Sequence, residues 1–138
     1  MANFTNENAV REKFQLDNTT RVPAALVEQS ITDAHTEILR YLAEDVDTAS
    51  PEDGLVLGET LLAGAHVYLS LASKDAFEQT QTVIGGQRVE AGHRFAALLE
   101  VAGAVELHAW RVLEPYLTAQ PSLIPCDATD TASIIGGN

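Results

Sequence analysis

The sequence predicts an all-α protein, a small bundle of three main helices plus a short N-terminal helix. Two features point there: apolar side chains recur at helical 3–4 spacing over most of the chain, and one long segment is apolar nearly all round. A chain of 138 residues fits one domain, and at that size a core can form without disulfides or metals. Residues 1–117 read as the helical core and residues 118–138 as an extended C-terminal arm.

The first helix is expected over about Asn6 to Phe14, closed by the polar turn Asp17-Asn18-Thr19-Thr20. The second begins near Pro23, whose missing N–H costs nothing in a first helical turn. From there Val27, Ile31, Ala34, Ile38, Tyr41 and Leu42 form one stripe to be buried, with acids and Arg40 mostly outside.

Ser50-Pro51-Glu52-Asp53 has the form of a helix start, with Ser50 as the expected cap and two acids at the positive end of the helix dipole. In the helix that follows, Leu57, Leu61, Leu62, Ala65, Tyr68, Leu69 and Ala72 cover most of the circumference, leaving a narrow strip with Glu59, His66 and Ser70. Such a helix must be surrounded, so it is the expected centre of the bundle. The fourth helix is expected over about Ala91 to Leu117, roughly 40 Å long, with Pro115 disturbing its last turn.

Two segments depart from helical patterning. Residues 80–89 place Gly85-Gly86 between short β-branched runs, which predicts a projecting hairpin or loop. Val83, Ile84, Gly85, Gly86 and Arg88 are its candidate contact residues, for pairing with another chain. The arm after Leu117 is rich in Ser, Thr, Asp and Pro, yet carries Leu123, Ile124, Ile134 and Ile135. A purely solvating tail would lack these aliphatics, so the arm is expected to order on a partner.

Composition excludes several roles. A net charge of −12 is ill suited to neutralising phosphates, which argues against free nucleic-acid binding. The longest apolar run without a charge, Thr60 to Ser73, is 14 residues, short of the roughly 20 that span a bilayer. No signal-like apolar segment opens the chain, and its one cysteine, Cys126, fits a reducing compartment; both predict a protein made in the cytoplasm.

Catalytic patterns are sparse. His35, His66, His93 and His108 form no zinc-hydrolase motif, and Glu90-Ala-Gly-His93 has the spacing of a di-iron half-site without a second copy. No nucleophile elbow, P-loop or dinucleotide fingerprint occurs, so no cofactor and no enzymatic activity are expected. Glu106 falls in the middle of the apolar stripe of the last helix, a candidate buried or interface carboxylate needing a donor or another subunit.

The order of features from Val10 to Leu117 resembles the head–tail connector (neck adaptor, or head completion) proteins of tailed bacteriophages. The residues that carry it are the short helix with Val10 to Phe14, then Asn18 to Pro23, and the amphipathic helix from Leu26 to Leu42. The apolar helix with Leu61 to Leu69, the loop with Ile84-Gly-Gly86 and the helix ending Trp110 to Leu117 complete the pattern. The resemblance implies a structural virion protein at the neck, a subunit of a homo-oligomeric ring of roughly a dozen copies beneath the portal protein. Such a ring extends the DNA channel and docks the next neck or tail component, without sequence-specific binding to the genome and without a membrane. It also implies portal contacts for residues 118–138, through Leu123, Ile124, Ile134 and Ile135, and subunit contacts for residues 80–89. An acidic ring would discourage DNA from adhering to the wall it slides past. The alternative reading is a small ligand- or metal-binding bundle, or an enzyme, with Glu106 and a histidine in a pocket.

Overall fold

The computed structural model describes residues 2–81 and 87–118, with side chains over 2–78 and 94–118. The described chain is helical: α1 (Glu7–Phe14), α2 (Ala24–Tyr41), α3 (Asp53–Gln81), α4 (Gln87–Leu113) and a final 3-10 turn, Glu114–Tyr116. α3 packs against each of the other three helices, and no strand occurs among the described residues beyond one isolated bridge, Leu42 with Leu117.

Each helix end has a local cause. The Asn6 side chain accepts from the Ala9 N–H at 2.9 Å, satisfying a first-turn donor that would otherwise lack a partner. α1 closes on Gln15 in the left-handed conformation, φ 57°, and the Leu16 N–H returns to the Arg11 carbonyl at 2.9 Å. Arg11 then fixes the α1–α2 connection: Nη1 donates to the Leu16 carbonyl at 3.0 Å and Nη2 to the Val22 carbonyl at 2.7 Å, while Nε bonds Glu7. α2 starts directly after Pro23.

α3 starts later than expected. Asp47, not Ser50, organises the approach, its carboxylate accepting from the Ala49 and Ser50 N–H groups, and the first helical bond is Val56 N–H to the Glu52 carbonyl. α4 ends at Leu113 rather than Leu117, because Pro115 has no N–H for the ladder and the chain tightens into a 3-10 turn. There Ala43 donates to the Tyr116 carbonyl and Thr118 to the Tyr41 carbonyl, both at 2.9 Å, stapling the end of α4 to the end of α2.

The expected hairpin over 80–89 is corrected at both flanks. Thr80 and Gln81 belong to α3, and Gln87, Arg88 and Val89 belong to α4. An isolated two-stranded hairpin is marginal in water, whereas two long helices gain by continuing alongside each other, so packing overrides the β-branched residues. Val83, Ile84, Gly85 and Gly86 lie outside the described residues, as do Leu123, Ile124, Ile134 and Ile135 of the C-terminal arm.

The core lies around α3, as its sequence requires. Every residue from Gly58 to Ala65 is buried. Val27, Ile31, Ala34 and Ile38 meet it from α2, Val10 from α1, and Ala109, Trp110 and Leu113 from α4. Two glycines allow close approach: a Cβ at Gly58 would collide with the Leu113 side chain, and one at Gly64 with the Phe14 ring. By length and hydropathy alone, Asp53–Glu78 could cross a bilayer, which the count over Thr60 to Ser73 missed; in this fold 61% of its most apolar window is buried against the other helices.

Candidate functional site

Among the described residues three polar groupings interrupt the apolar packing, the first closed and the second open. The closed one surrounds Glu59, fully buried near the start of α3. Its Oε2 accepts from the backbone N–H groups of Phe4 at 2.6 Å and Thr5 at 2.9 Å, and its Oε1 lies 2.6 Å from His35 Nδ1 on α2. Beside it the Thr5 and Thr60 hydroxyls share a hydrogen bond of 2.6 Å, and the Phe4 ring packs edge-on to His35 with centroids 4.7 Å apart. A buried carboxylate is tolerated only when its lone pairs are occupied, and here both oxygens have partners. The cluster fastens the segment preceding α1 across α2 and α3.

The open cluster is a groove of about 200 Å³ between α3 and α4, lined by Ala65, His66, Leu69, Leu99, Ala102, Gly103 and Glu106. His66 Nε2 lies 2.6 Å from Glu37 Oε1 of α2. The pKa of His66 is raised above its ordinary value near 6.5, chiefly by the contact with Glu37, with added attraction from Glu106 and Asp33 outweighing the cost of burial. Glu106 of α4 belongs to this groove. It is half-buried at the groove wall, where solvent and the nearby imidazole relieve the charge that full burial would have stranded.

Further along, Asp75 of α3 is buried and receives two hydrogen bonds from Arg94 of α4, at 2.7 Å from Nε and 2.6 Å from Nη2. This paired geometry fixes α3 against α4 beside the α1–α2 connection, which shares a pocket with Arg94. Arg88 lies in α4, with its side chain outside the description, and the same holds for Glu90 and His93. His108 is exposed on α4, so the structure brings no two histidines into one described site. Among the described residues, no three His, Cys, Asp or Glu side chains converge as metal ligands would.

The buried role of Glu59 escapes a helical wheel, which groups it with His66 and Ser70 on one polar strip. The available signal was its position, a lone acid among apolar residues on the helix expected to be enclosed. Compared with known proteins, the chain matches no protein-family model, no curated protein and no solved structure.

Proposed function

We propose that this chain is a structural assembly subunit, a head–tail connector of the virion neck that forms a ring beneath the portal protein. The ring extends the DNA channel, and its lower face docks the next neck or tail component. One observation carries the assembly part of this reading: large apolar side chains stand in solvent on both long helices. Phe77 is 66% exposed and Leu69 47% on α3, and Leu99 38% on α4. The α1–α2 connection packs at the level of Leu71 and Leu98, and Phe77 lies beyond it on the continuing α3. A helix that continues past its own core with exposed aromatic surface has the form of an element awaiting a partner. The connector identity rests on the resemblance, with the arm of residues 118–138 assigned to the portal and residues 80–89 to neighbouring subunits.

The alternative, a small-ligand bundle, is favoured by the His66–Glu106 groove of about 200 Å³ and by a larger pocket of about 540 Å³ beside Asp45, Glu52 and Tyr116; only the second falls within the roughly 300–1,000 Å³ usual for ligand pockets. Size-exclusion chromatography with light scattering, with and without the portal ring of the same particle, separates the readings. Capture of the full chain by the portal is expected, as is loss of that capture, with the helical core still folded, when residues 121–138 are deleted. A chain that ignores the portal at every concentration, or a truncated chain that joins capsids normally, would overturn the connector reading or the arm assignment respectively.

A further inference from the structure

α4 has a second face that no other described element covers. Ala102, Ala109 and Leu113 point to the core, whereas Ala97, Val101, Ala104, His108 and Arg111 are exposed and recur at spacings of 4, 3, 4 and 3 residues. Leu107 is partly exposed beside them. The charges on this face are ordered along it: Glu100 stands toward the N-terminal end, His108 and Arg111 toward the C-terminal end, and Val101, Ala104 and Leu107 lie between. Among the described residues, neither Glu100 nor His108 nor Arg111 makes a hydrogen bond or ion pair within the chain.

The geometry points to a second copy of this chain as the occupant, its α4 packed antiparallel on the same face around Ala104. In that register Glu100 faces His108 of the second copy, with Arg111 one turn away, and the symmetric pair repeats on the other side of the two-fold axis. Val101 then faces Leu107, and Ala104 meets Ala104, where small side chains let helix axes approach to about 8–10 Å. A parallel arrangement would instead set Glu100 beside Glu100. A net charge of −12 opposes indiscriminate association, so a local match of acid with base is what selects this face and this direction. An isologous contact closes at two copies, whereas a ring grows through a different, heterologous surface, so this inference does not rest on the connector reading.

The test uses the full chain with Cys126→Ser as background. Ala104→Cys is expected to give a disulfide-linked dimer under mild oxidation. Ala97→Cys is not, because its counterpart would stand about 20 Å away along the axis. A mixture of Ala97→Cys and Arg111→Cys chains is expected to cross-link. Val101→Glu is expected to weaken dimerisation at least tenfold by light scattering while leaving helical circular dichroism unchanged. A chain that stays monomeric at all concentrations with no Ala104→Cys dimer would overturn the inference. So would Ala97→Cys linking to itself as fast as Ala104→Cys, which would indicate parallel or indiscriminate contact.

Discussion

His35 Nδ1 and Glu59 Oε1 lie 2.6 Å apart with both side chains withdrawn from water, and the other Glu59 oxygen holds the backbone of Phe4 and Thr5. One carboxylate thus joins three parts of the chain: its own helix, His35 of α2 at 24 positions' separation, and the Phe4–Thr5 segment at more than 50. Removing a single partner of such a cluster costs more than the cluster contributes net, because the remaining polar groups stay buried without bonds.

Glu59→Ala should therefore destabilise the fold by about 3–5 kcal/mol, the range for breaking a buried charged network. Urea denaturation measures this directly. Hydrogen exchange at the Phe4 and Thr5 amides should accelerate first, since these two donors lose their acceptor. Undiminished protection there would show that the segment before α1 is held by something other than Glu59.

His66 supplies a pH dependence of definite sign. Its folded pKa is raised, chiefly by Glu37, so its contribution to stability is complete below the ordinary value near 6.5 and is lost as pH rises through the raised value. Glu37→Gln should bring the His66 titration, followed by NMR of its imidazole protons, back down. It should also flatten the fall in stability across that window. Glu106→Gln should act in the same direction and less strongly, since its influence is Coulombic only.

The turn after α1 offers a gain. Gln15 is the one non-glycine residue with positive φ among those described, at 57°, a conformation in which a Cβ is unfavourable. Gln15→Gly should raise stability by about 1 kcal/mol, offset in part by loss of the side-chain bond from Gln15 Nε2 to the Glu12 carbonyl. Thermal melting would show an increase of a few degrees, and a decrease would mean that this side-chain bond outweighs the backbone relief.

The helices were legible because each rests on a periodic pattern: the stripe from Val27 to Ile38 is buried as its spacing requires, and the unbroken apolar stretch of α3 is enclosed. Three features were not legible, for three physical reasons. The role of Glu59 depends on backbone amides supplied by Phe4 and Thr5, and no periodicity reports a contact across that separation. Glu106 lies on the apolar stripe, but a wheel has no neighbouring helix and so could not show that α3 leaves a groove there, with Glu106 half-buried in its wall near His66. Thr80, Gln81 and Gln87–Val89 are helical despite their β-branched neighbours and Gly85-Gly86, because α3 and α4 support each other and a lone hairpin has nothing comparable to rest on.

That mutual support depends on how close α3 and α4 come, which sets opposite expectations for two glycines. Gly58 is buried, and a Cβ there would run into Leu113, itself fully buried with no space to retreat. Overpacking costs about 1–3 kcal/mol, more than the gain of up to about 1 kcal/mol from better helix propensity, so Gly58→Ala should destabilise. Gly103 on α4 is exposed, and a Cβ there meets nothing within 4 Å. Gly103→Ala keeps the propensity gain without a clash and should stabilise by about 0.5–1 kcal/mol. Parallel urea titrations of the two variants compare one chemical change at two sites, so a shared unfolded-state effect cancels. Equal shifts for both would mean that α3 can move away from Leu113 freely, and that the closeness of the two long helices is not what holds them together.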